Sequence, residues 1–116
     1  MSDDRLFHIA LSSEWDAAEQ SGTYDRSTLG ASVGEVGFVH CSRGLEQALG
    51  VVDLFYAQVS EPIVLLHIDE AALPAAGLTV IAEHADRGDP TSAEFPHIYG
   101  GPLPVGTVAE VLPLTR

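Results

Sequence analysis

The chain has 116 residues, enough for one domain with one core and too few for two. Its 46% hydrophobic content is too high for a disordered chain, yet no stretch reaches the roughly 18 uninterrupted apolar residues of a membrane span. Seventeen acidic residues against five arginines and no lysine give a charge of −12; nucleic-acid and membrane partners are disfavoured, and lysine Schiff bases and Walker-type phosphate loops are excluded.

Leu6 to Leu11 alternates as a strand, with Phe7, Ile9 and Leu11 on one face and Leu6, His8 and Ala10 on the other. Ser12 or Ser13 is placed to cap a short helix, because Glu14 and Asp16 in its first turn suit the helix dipole and Gly22 suits its end. Residues 23–35 read as a long polar loop. Gly37 to Ser42 reads as a second strand, with Phe38, His40 and Ser42 on one face and Val39 and Cys41 on the other. From Gly44 a helix follows, with Leu45, Ala48, Leu49, Val52, Phe55 and Tyr56 as its apolar stripe.

After Pro62, the apolar run Ile63 to Asp69 predicts a central strand buried on both faces. Glu70 to Gly77 reads as a turn or short helix, Leu78 to Glu83 as a strand, and residues 86–94 as a breaker-rich loop. Phe95 to Gly101 reads as an isolated aromatic and glycine cluster, and Thr107 to Leu112 as the last strand. Two helices among about five strands, without regular alternation, predict an α+β domain spanning residues 1–116.

The acidic opening from Met1 to Arg5 is the reverse of a secretory signal, and a lone cysteine, Cys41, fits a reducing compartment. The expected location is cytoplasmic.

Chemistry points to histidine. Of five, His8 and His40 are central in strands, and His97 stands in Phe95-Pro96-His97-Ile98-Tyr99-Gly100-Gly101, where glycines permit close backbone contact with a ligand. Imidazole offers both a donor and an acceptor near neutral pH. His67 reads as structural and His84 as solvated. No C-x-x-C or H-x-x-x-H pair signals zinc, although scattered histidines can still assemble a metal centre. Cys41 points away from His40, and Ser42 lacks the G-x-S-x-G elbow of a hydrolase. Ser42 is read instead as a hydroxyl at a strand end, with Arg43 available to an anionic group.

Phe7-His8-Ile9, Glu14-Trp15, Tyr24 and Ser27-Thr28-Leu29 are similar to the first third of the domain of unknown function 952 family. Gly37-Phe38-Val39-His40-Cys41-Ser42 with Glu46-Gln47 resembles its central signature, and Phe95-Pro96-His97-Ile98-Tyr99-Gly100 with Pro102-Leu103 its third block. The resemblance covers almost the whole chain. It implies an ADP-ribosyltransferase-like fold, a split β-sheet with two main helices, whose cleft binds NAD.

By that resemblance His8 contacts the nicotinamide ribose side of NAD, His40 and Ser42 line the nicotinamide pocket, and His97 and Tyr99 close the cleft. Gln47 and Glu83 match positions often polar in the family. The candidate catalytic residues are thus His8, His40 and His97, and the candidate ligand contacts are Ser42, Arg43, Gln47, Glu83 and Tyr99. NAD enters as substrate, with no separate cofactor.

The implied reaction is loss of nicotinamide through an oxocarbenium-like ribosyl cation, assisted by a carboxylate. Glu83 and Glu94 are the candidates, neither in an E-x-E or Q-x-E context. An RNA 2′-phosphotransferase would need several arginines at one site, which five dispersed ones do not promise. Two further readings stay open: a non-catalytic small-ligand or protein-binding module using the same cleft, and a histidine-bound metal centre. The enzyme reading requires a carboxylate within reach of the histidines.

Overall fold

The computed structural model describes residues 3–28, 30–86 and 88–114; Leu29 and the arginines Arg87 and Arg116 lie outside them. In chain order the elements are β1 (Leu6–Leu11), α1 (Ser12–Ser21), β2 (Thr23–Tyr24), β3 (Arg26–Thr28), β4 (Ala31–Ser32) and α2 (Val33–Val36). There follow β5 (Val39–His40), β6 (Ser42–Arg43), α3 (Leu45–Phe55) and β7 (Ile63–Ile68). After 3-10 turns at Glu70–Ala72 and Pro74–Ala76 come β8 (Thr79–His84), β9 (Glu94–Tyr99), β10 (Leu103–Pro104), a 3-10 turn at Val105–Thr107, and β11 (Val108–Pro113). The result is a mixed α+β fold of antiparallel sheets with few helices. Among the described residues no helix is long and apolar enough to cross a membrane.

Alternation along β1 decides the architecture. The main sheet runs β11-β7-β1-β6. On one face Phe7 and Ile9 meet Ala48, Val51, Val52 and Tyr56 of α3. On the other, Leu6 and Ala10 join Trp15, Tyr24, Val39, Cys41 and Ile98. β7 sends Ile63 and Leu65 to the first cluster and Leu66 and Ile68 to the second, as its apolar run predicts. A second sheet, β5-β9-β8, turns Val39 and Ile98 inward.

Several sequence expectations are corrected. Leu11, not Ser12 or Ser13, holds the N-cap position of α1, and it supplies no side-chain bond. The 23–35 segment is not a loop: β2 pairs with β10, β3 with β4, and α2 starts on a reciprocal capping box between Ser32 and Glu35. The buried set of α3 contains Ala48, Val51 and Val52, while Leu45, Leu49 and Phe55 of the expected stripe are exposed. The sheet-facing side follows i, i+3, i+4, i+8 from Ala48, which rotates the stripe toward Val51.

The expected strand from Gly37 to Ser42 is two strands. β5 pairs with β9 in one sheet and β6 with β1 in the other. The chain changes sheets at Cys41, whose N–H donates to the Pro96 carbonyl at 3.0 Å. Phe95 to Gly101 is no isolated cluster either. Residues 94–99 form β9, the middle strand of the second sheet. Gly100 comes close not to a ligand but to the chain itself, since a Cβ there would sit 2.5 Å from the Gly77 carbonyl oxygen.

Candidate functional site

Strand register assembles the site. His40 lies opposite His97 across β5 and β9, and Glu83 lies opposite Phe95 across β9 and β8. Period 2 therefore puts His40, Phe95, His97, Tyr99 and Glu83 on one face of the second sheet, opposite the core-facing Val39 and Ile98. Phe38 stacks on the His97 ring at 4.0 Å and 18°, and His40 meets the same ring edge-on at 5.1 Å. Phe95 completes the aromatic wall, 5.3 Å from His40.

Glu83 is the carboxylate of this cluster. It accepts from His97 Nδ1 at 2.8 Å, and the Tyr99 hydroxyl donates to the same oxygen. The diagonal step from Glu83 to His97 is within reach across an antiparallel pair. Because a carboxylate only accepts, His97 carries its proton on Nδ1 and leaves the Nε2 lone pair without a partner among the described residues. Glu94, the other candidate, is exposed, and only its backbone carbonyl is engaged here, by Gln47.

His40 and His97 line a cleft of about 270 Å³ together with Ser27, Thr28, Val36, Phe38, Phe55, Ala85 and Phe95. Ser27, Thr28, His40 and Phe55 also line a smaller adjoining hollow of about 110 Å³, reached by His8, Ser42 and Tyr56. At the junction two buried polar atoms, Ser27 Oγ and His40 Nδ1, have no hydrogen-bond partner among the described residues. An unsatisfied buried polar atom costs about 1–3 kcal/mol, so each of these atoms favours a ligand group that can bond to it. Burial and the neighbouring His97 hold the His40 imidazole down to about 4, so it is neutral at pH 7.

His8 has a different position in this network. Its Nδ1 donates to the His40 carbonyl at 2.6 Å, and its Nε2 accepts from the Tyr24 hydroxyl at 2.8 Å. Complete burial lowers its pKa to about 4. With both nitrogens committed, His8 has no free lone pair for proton transfer; it ties β1 to β5 and β2 behind the small hollow. Ser42 is buried and lines that hollow.

Arg43 and Gln47 do not reach the cleft. Arg43 pairs with Glu70 at 2.6 Å and donates to the Asp4 carbonyl at 2.9 Å. Gln47 accepts from the Arg43 N–H and donates to the Glu94 carbonyl, clamping β6 to the start of β9. His67 contacts Glu110 on the main sheet, and half-buried His84 donates from Nδ1 to the Ser92 carbonyl. Cys41 is buried in the core, where desolvation pushes its thiol pKa far up, against any nucleophilic role. No group of three or more His, Cys, Asp or Glu placed to hold a metal occurs among the described residues.

Ser27, Thr28 and Phe55 are cleft residues that the sequence reading had not singled out as site residues. Phe55 had been assigned to the apolar stripe of α3, yet it is 62% exposed and stands at the cleft mouth. Its exposure separates it from the sheet-facing side, a distinction that side-chain spacing alone could not make.

Among solved structures, the chain is similar to the crystal structure of protein CC0527 from Caulobacter crescentus, with 29% identity and a TM-score of 0.71. The match covers 96% of this chain and 86% of that one. A double mutant of the same Caulobacter crescentus protein matches at 28% identity, with the same TM-score and the same shares of both chains. No curated protein matches. Residues 9–111 match the family described as protein of unknown function (DUF952), and the chain belongs to that family.

Proposed function

We propose that the protein is ADP-ribosyltransferase-like, binding NAD or a related nucleotide in the histidine-lined cleft and cleaving its N-glycosidic bond. The observation that carries this reading is the Glu83–His97 hydrogen bond, which places a carboxylate one bond behind an imidazole in the cleft wall. In the reaction, the bond between ribose C1′ and the nicotinamide nitrogen breaks, and its electron pair neutralises the pyridinium. Nicotinamide leaves uncharged. The oxocarbenium-like ribosyl cation is captured by the oxygen of water or of an acceptor hydroxyl. The proton released passes to His97 Nε2, and Glu83 stabilises the imidazolium that forms. Phe38, stacked on His97, fixes the ring plane, and Tyr99 holds Glu83 in place.

Nicotinamide release from NAD by the purified protein tests this directly. His97→Ala is expected to lower the rate about 10²- to 10⁴-fold, the usual worth of a positioned base. Glu83→Gln keeps the shape but removes the charge, so it is expected to lower kcat more than it raises KM. Release equal to the buffer blank for wild-type protein rejects catalysis; NAD still bound in that case identifies the cleft as a binding module.

A further inference from the structure

We propose that the cleft selects a cationic nucleoside without phosphate, an N-ribosylpyridinium such as nicotinamide riboside, over its phosphorylated relatives. This rests on the reaction proposed above and names the substrate class it would favour. The first argument is where phosphate could go. Among the described residues, none that lines the cleft or its adjoining hollow is an arginine, and the chain has no lysine. Each arginine among the described residues is already paired: Arg5 with Asp3 at 2.8 Å, Arg26 with Glu14 at 3.0 Å, and Arg43 with Glu70 at 2.6 Å.

The helix N-termini, the other common phosphate cradles, already have protein carboxylates beside them. Asp3 accepts from the Leu45 N–H at the start of α3. Glu35 closes the capping box of α2, and Glu14 lies in the first turn of α1. A diphosphate bound here would meet the field of a chain with net charge −12.

The same field attracts a pyridinium. Phe38, Phe55 and Phe95 line the cleft with aromatic rings, whose π-systems favour a cation, and the neutral His40 adds no opposing charge. Ser27 Oγ and His40 Nδ1, both without a partner among the described residues, match the mixed donor and acceptor character of a carboxamide on that ring. The leaving group argues the same way. A purine must take a proton to depart, whereas a pyridinium departs neutral, and no carboxylic acid is among the described residues that line the cleft.

The test compares nicotinamide release from nicotinamide riboside, nicotinamide mononucleotide and NAD, at low and at physiological ionic strength. The expected order of kcat/KM falls with each added phosphate, with riboside over NAD by about tenfold or more, and the gap narrows with salt. Thr28→Arg, placing a cation on the cleft wall, is expected to shift the preference toward NAD. NAD used as well as the riboside overturns the selection while leaving the cleavage reaction intact. Release from none of the three overturns the reaction, and calorimetric titration then decides the selection. Riboside binding without NAD binding preserves it as a ligand preference, and binding of neither ends it.

Discussion

Between pH 6.5 and pH 4 the protein is expected to lose about 3 kcal/mol of stability through His8 alone. The folded His8 accepts a proton only near pH 4, against 6.5 for the free side chain. In that window the unfolded chain binds more protons than the folded one. The contribution is therefore complete above pH 6.5 and is lost as pH falls toward 4. His40 shifts in the same direction but is only half-buried, so it adds less.

The carboxylates Asp3, Glu35 and Asp89 are held below their ordinary range by hydrogen bonds, so their contributions disappear only at lower pH. Denaturant unfolding at a series of pH values separates the two windows. Replacing both ends of the buried bond, His8→Phe with Tyr24→Phe, is expected to flatten the profile between pH 6.5 and 4. A wild-type profile already flat there would show that His8 is not held neutral.

Gly100→Ala is expected to be the most damaging single-methyl change, costing about 3 kcal/mol or more. Two penalties coincide: Gly100 has φ +123°, where L-residues are strained, and a new Cβ would sit 2.5 Å from the Gly77 carbonyl oxygen and 3.0 Å from Leu78. Gly101 is the internal control. Its φ is +133°, but nothing lies within 4 Å of its Cβ position, so Gly101→Ala should carry the backbone strain alone, about 1–3 kcal/mol. A thermal melt of each variant reads the difference; equal Tm values would refute the steric clash. Tyr99 immediately precedes Gly100 and His97 lies three residues before it, so the displaced chain should also loosen their hold on Glu83.

What the sequence made legible follows the reach of local physics. β1, β7 and α1 are where alternation, an apolar run and a closing glycine place them, because each signal depends on neighbours within a few residues. The break at Cys41 was not legible, since Val39 to Arg43 alternates in the same way whether it serves one sheet or two. Phe95 to Gly101 reads as an isolated cluster, yet residues 95–99 belong to β9, which accommodates Pro96 where the chain leaves β5 and whose Pro96 carbonyl accepts from Cys41. In the site, the family pattern pointed to His40, His97 and Glu83, but only strand register could bring them together. The sequence leaves Arg43 available to an anionic group, but Glu70 and the Asp4 carbonyl take it. His8 was legible as a position, while its saturation by the His40 carbonyl and Tyr24 depends on elements far apart in the chain.

The change of sheets at Cys41 makes the thiol a built-in clock. Strands on either side of it belong to different sheets and the residue is buried, so full exposure of the sulfur requires those sheets to part or the core between them to open. At neutral pH a thiol reagent should therefore label native protein at the pace of that opening, independent of reagent concentration once labelling of the open form outruns reclosing. Rapid labelling at neutral pH, proportional to reagent, would instead mean that the seam between the sheets breathes without the fold coming apart.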